Sequence, residues 1–121
     1  MTEVELLEQL NDWTNAGVDS ITLYLSVLFA YFVVAHLVGR TLTSVQLTVI
    51  SVIYSVVMLS GLVTINMQFA AAARFSEDLI IAGSKYVTPL PAHAATIATS
   101  MYAMAFAASH YYMYSRRTQA K

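Results

Sequence analysis

The chain has 121 residues, of which 58% are hydrophobic and only 11% charged, with a formal net charge of −1 and no cysteine. A soluble domain carries about 25% charged residues, so this composition excludes an ordinary water-facing surface. It also excludes a basic stripe for nucleic-acid phosphates, and the lack of cysteine excludes disulfides, Cys-ligated zinc and iron–sulfur clusters.

The length allows one domain, residues 1–121. No Asp, Glu, Lys or Arg stands between Ser20 and Arg40, between Arg40 and Arg74, or between Lys85 and Arg116. A membrane-spanning helix needs roughly 20 mainly apolar residues, and each gap is long enough to supply one. The expected fold is therefore all-α, an integral membrane bundle of three transmembrane helices.

Residues 1–19 form an acidic N-terminal arm with five carboxylates and no Lys or Arg, which lacks the basic start of a signal peptide. Thr2 and Glu5 have the spacing of a capping box. Leu6, Leu10 and Trp13 fall on one helical side, so Thr2 to about Asp12 reads as a short amphipathic helix. It either lies at a membrane interface with Trp13 at headgroup depth or is a solvated arm. Asn15-Ala16-Gly17 is expected to break it.

The first span is expected over 20–38, ended by Gly39-Arg40. Residues 41–44 leave room only for a tight turn, which forces the second span, 45–69, to run antiparallel beside the first. Residues 70–91 are read as an outer connection. Within it Gly83 is a helix stop, and Thr88-Pro89-Leu90-Pro91 is a stiff extended segment from which a new helix can start. The third span is expected over 92–114. Tyr111, Tyr112 and Tyr114 precede Arg116 and Arg117, the order of aromatic belt and positive charge at a membrane boundary. Residues 115–121 are a basic tail.

Lys and Arg counts set the expected orientation. The arm and the outer connection share two such residues, Arg74 and Lys85. The first connection and the tail share four, Arg40, Arg116, Arg117 and Lys121. The N-terminus is thus expected outside and the C-terminus in the cytoplasm, in a cell membrane or bacterial inner membrane.

Inside a bilayer, helices associate through small residues and interhelical hydrogen bonds. Three stripes fit that rule at 100° per residue. They are Ala95, Thr99, Ala103 and Ala107 on the third span, Ser44, Thr48, Ser51 and Ser55 with Asn66 on the second, and Thr22, Ser26, Phe29, Val33 and His36 on the first. The simplest arrangement buries all three together.

No carboxylate, lysine or arginine lies inside a span, and H-E-x-x-H is absent. No catalytic role is expected. His36 and His110 lie near the same end of their spans, on inward stripes. Two neutral imidazoles on different helices can bind a b-type haem or a metal, whereas the ordinary role is a hydrogen bond to a carbonyl, a tyrosine or water. His93 stands 17 residues from His110, about 25 Å along a helix, and cannot share its site.

The expected function is that of a small multi-pass membrane protein acting through helix–helix contacts. It would serve as an accessory or assembly subunit or a self-associating scaffold, with the bilayer and a second copy or another membrane protein as partners. The alternatives are an oligomeric channel lined by the Ser/Thr stripes and a haem-binding electron carrier using His36 and His110.

Overall fold

The computed structural model describes residues 1–88 and 93–119. They form three helices and no strand: α1 (Glu3–Val38), α2 (Ser44–Ile81) and α3 (Ala94–Thr118). The Pro89–Pro91 segment read as extended lies outside the described residues.

α1 opens on the capping box foreseen at Thr2. The Thr2 N–H donates to the Glu5 carboxylate at 2.7 Å, and the Glu5 N–H donates to the Thr2 hydroxyl at 3.3 Å. The break expected at Asn15-Ala16-Gly17 does not occur. α1 is one helix of 36 residues, and the arm is its first part. Gly17 is buried against the Phe69 ring of α2, and a Cβ there would stand 3.2 Å from two ring carbons. The close approach offsets the roughly 1 kcal/mol that a helical glycine costs; the residue that looked like a breaker is a contact.

The turn between α1 and α2 is held by the Val38 carbonyl, which accepts from the Thr41 and Leu42 N–H groups at 2.9 and 3.2 Å. α2 then begins with a second capping box, Thr43 with Gln46, at 3.0 and 3.2 Å. It runs 38 residues, through much of what was expected to be connection. Ala70–Ala73 are strong helix formers, and Leu79, fully buried, anchors the last turn. Gly83 is the stop: it adopts φ 80°, the Gly83 N–H donates to the Ile80 carbonyl, and the Ser84 N–H donates to the Leu79 carbonyl, both at 3.0 Å. That is the Schellman pattern.

α1 and α2 pack antiparallel in constant register. Gly17 meets Phe69, Gly61 meets Tyr24, and Tyr31 stacks on Tyr54, so the numbers of each facing pair sum to 85 or 86. Tyr54, Met58, Gly61 and Ile65 are buried at steps of four and three, the repeat of long helices packed at a shallow angle. α3 lies against both and contributes Met113 to a core with Leu28, Tyr31, Ala35, Tyr54 and Met58.

α1 and α2 are each long and apolar enough to cross a membrane, and only 17% and 22% of their most apolar stretches are buried. A core helix of a soluble protein hides such a stretch; these two expose it. α3 has the length but is too polar on average to meet the same measure.

Candidate functional site

The polar groups of the bundle converge where α1, α2 and α3 meet. A buried tyrosine needs a partner on another element, because its ring carries the hydroxyl beyond the carbonyls of its own helical turn. Tyr31 on α1 and Tyr54 on α2 are 3% and 5% exposed. Their rings stack at 3.8 Å between centroids and 8° between planes, and their hydroxyls reach different partners. Tyr54 Oη lies 2.8 Å from Ser109 Oγ on α3, and Ser109 donates to the Phe106 carbonyl at 2.6 Å. With the serine proton so committed, Tyr54 is the donor in its pair. Tyr31 Oη lies 3.2 Å from Ser51 Oγ and 3.3 Å from His110 Nδ1.

His110 completes the cluster. Its Nε2 lies 3.0 Å from Ser55 Oγ, and its edge contacts place the ring 5.5 Å from Tyr31, 5.4 Å from Tyr54 and 4.9 Å from Phe106. A neutral imidazole has one N–H and one lone pair. Two proton arrangements therefore satisfy all three contacts and both ring nitrogens. In one, Ser51 donates to Tyr31, Tyr31 to Nδ1, and Nε2–H to Ser55. In the other, every donor is reversed. Both use both ring nitrogens.

His36 and His110 each take the ordinary role, a hydrogen bond to a tyrosine, and they do so at separate places. His36 is exposed, and its Nδ1 lies 3.1 Å from Tyr112 Oη. Tyr112 follows His110 by two positions, about 200° around α3, so the imidazoles sit on opposite sides of that helix. His110 is bonded to Tyr31 and Ser55, and His36 to Tyr112. Among the described residues no group of three or more His, Asp or Glu could hold a metal ion. His93 is exposed at the start of α3 without a side-chain capping bond.

The expected stripes are divided. Ser51 and Ser55 enter the cluster, and Asn66 donates to Thr99 Oγ1 at 3.1 Å, joining α2 to α3 a few turns away. Ser44 accepts from Arg117 at 2.6 Å at the turn end of α2. Ala95 is half-buried. Thr48, Ala103 and Ala107 are exposed, and so is the whole α1 stripe of Thr22, Ser26, Phe29, Val33 and His36. The expectation that all three stripes bury together is corrected. Thr22, Ser26 and Thr48 donate to the Val18, Thr22 and Ser44 carbonyls of their own helices, so no unsatisfied hydroxyl draws them inward.

Tyr31, Tyr54, Phe106 and Ser109 were not anticipated as site residues. The available signal was two tyrosines well inside apolar stretches, far from any boundary belt. No protein-family model, curated protein or solved structure matches the chain, so the functional reading rests on the arrangement of its own residues.

Proposed function

We propose that the chain is a three-span membrane protein that acts through helix–helix contacts, as an accessory or assembly subunit or a self-associating scaffold without catalysis of its own. The carrying observation is an inverted polarity. Tyr31, Ser51, Tyr54, Ser55, Asn66, Thr99, Ser109 and His110 bond to one another between helices, whereas Leu23, Phe29, Leu37, Val45, Ile53 and Val63 stand at least half exposed. Water reverses that preference; hydrocarbon favours it.

α3 belongs to the spanning set on the same argument. Average hydropathy counts every face, but Thr99, Ser109 and His110 turn toward the other helices, and the exposed Ser100 donates to the Thr96 carbonyl at 2.7 Å. Its outer face carries Ile97, Met101 and Met104. At 1.5 Å per residue its 25 residues reach about 37 Å, enough for a hydrocarbon core of about 30 Å.

α1 and α2 reach about 54 and 57 Å, so they overshoot that core. The excess falls at the end away from their turn, as a paired stalk carrying all seven carboxylates. The opposite end has Arg40, Arg116 and Arg117 and no carboxylate. This asymmetry supports the stalk outside and the basic end in the cytoplasm. On α2, a shallow groove of about 420 Å³ lined by Leu47, Thr48, Ser51, Val52, Ser55 and Leu59 suits the side chains of a partner helix.

The chain has no native cysteine, so single-cysteine variants test the topology without background. Glu8→Cys is expected to react with an impermeant maleimide from outside intact cells, and Gln119→Cys only after permeabilisation. Gentle purification in mild detergent is expected to yield a mass above one 13.3 kDa chain, from further copies or a co-purifying membrane protein. A protein that stays in solution without detergent would sink the membrane reading; a strict monomer without partner would sink the association reading.

A further inference from the structure

A second groove, of about 350 Å³, lies between α1 and α3 near the turn end and is lined by Phe29, Phe32, Val33, His36, Leu37 and Tyr112. Its walls are almost wholly apolar, and its polar boundary is built. Tyr112 and His36 bridge α3 to α1 at 3.1 Å, and Arg116, one turn beyond Tyr112, donates from Nη2 to the His36 carbonyl at 3.1 Å. That contact sets a guanidinium against the C-terminal end of α1, where the helix dipole is negative. The Arg116 Nε–H is buried and has no hydrogen-bond partner. This end of the molecule thus offers an apolar groove with the Arg116 guanidinium beside its polar boundary, and all seven Asp and Glu side chains belong to the other end.

We propose that this groove binds one anionic phospholipid, with an acyl chain along Phe29, Phe32 and Val33 and the phosphate at Arg116. The inference rests on the membrane reading above. The charge complementarity selects the ligand: a zwitterionic lipid presents the same chain but no net charge, and an apolar partner helix offers the Arg116 charge no counter-ion. An arginine fork suits a phosphate better than a lysine would, and basic sites between helices on the cytoplasmic side commonly receive anionic headgroups.

The test uses the full chain in a neutral detergent, titrated with phosphatidylglycerol or phosphatidylcholine of matched chains and read by native mass spectrometry. Phosphatidylglycerol is expected to be retained one per chain, at least fivefold more tightly than phosphatidylcholine. Arg116→Gln is expected to weaken it about fivefold, the effect of about 1 kcal/mol for one arginine near the surface. Val33→Trp fills the groove from an exposed position and is expected to abolish retention while the helical circular dichroism stays unchanged. Arg117→Gln is expected to leave it intact, because Arg117 points to Ser44 on α2. Equal retention of the two lipids overturns the proposal. So does equal damage from Arg116→Gln and Arg117→Gln, which would mark a diffuse field rather than a site. Loss of a partner protein instead of lipid in Val33→Trp would assign the groove to a helix. A chain that dissolves without detergent overturns the membrane reading and this proposal with it, whereas a membrane-bound chain without lipid preference overturns this proposal alone.

Discussion

Replacing His110 by alanine removes, among the described residues, the one side chain of α3 that bonds to both α1 and α2. Two interhelical hydrogen bonds are lost, to Tyr31 and Ser55. Such bonds in a membrane bundle contribute about 0.6 kcal/mol on average and about 1.7 at most. The ring also leaves edge contacts with Tyr31, Tyr54 and Phe106 and a void between them, which adds roughly another 1 to 2 kcal/mol. The expected loss is therefore about 2 to 3 kcal/mol. Tyr31→Phe keeps the stack on Tyr54 but loses the hydroxyl, so it is expected to cost about 1 kcal/mol. The double variant should cost less than the two singles together by about 0.6 kcal/mol, because the Tyr31–His110 bond is counted in both. The assay is unfolding of the full chain in bicelles by increasing mole fraction of SDS, followed by circular dichroism. A neutral or stabilising His110→Ala, or strict additivity in cycles with both Tyr31→Phe and Ser55→Ala, would refute the claim that His110 ties the bundle together.

Gly61→Val sets a side chain into the Tyr24 ring; a loss of about 1 to 3 kcal/mol is expected from overpacking, measured by the same SDS titration. Gly83→Ala meets no neighbouring atom but must hold φ 80°, so it is expected to cost about 1 kcal/mol for conformation alone and to fray the end of α2 in amide exchange. The Glu5 carboxyl is held below the usual carboxylate range, chiefly by the Thr2 backbone N–H. A lowered folded-state pKa stabilises above the unfolded value and loses its effect as pH falls through the folded one. Protection of the first α1 amides is thus expected to be complete above about pH 4.5 and to fall below it, and Glu5→Gln, which keeps an acceptor for the Thr2 N–H but does not titrate, should remove that pH dependence.

Much of the architecture is legible in the residues because its causes are local. Long runs without formal charge mark the apolar parts of α1 and α2, and Gly39–Thr43 is too short for anything but an antiparallel return. The capping box at Thr2 and the stop at Gly83 are backbone chemistry that a few neighbouring residues determine. Thr43 with Gln46 carries the same signature as Thr2 with Glu5, and it was legible by the same rule. What misled was treating Asn15-Ala16-Gly17 as a break: a glycine in a helix is a weak local penalty, and the Phe69 ring 52 positions away decided the outcome.

The rotation of each helix was a matter for the tertiary structure alone. Small and hydroxyl-bearing residues suggested that Thr22 and Ser26 on α1, and Ala103 and Ala107 on α3, should face inward. Nothing compels them to, since a serine or threonine can return its proton to a carbonyl of its own helix and an alanine has none to place. Tyr31, Tyr54 and His110 have no such local escape, and their partners lie at least 20 positions away. Composition and spacing therefore determined where the helices lie along the chain, while long-range hydrogen bonding and ring packing decided which sides of them meet.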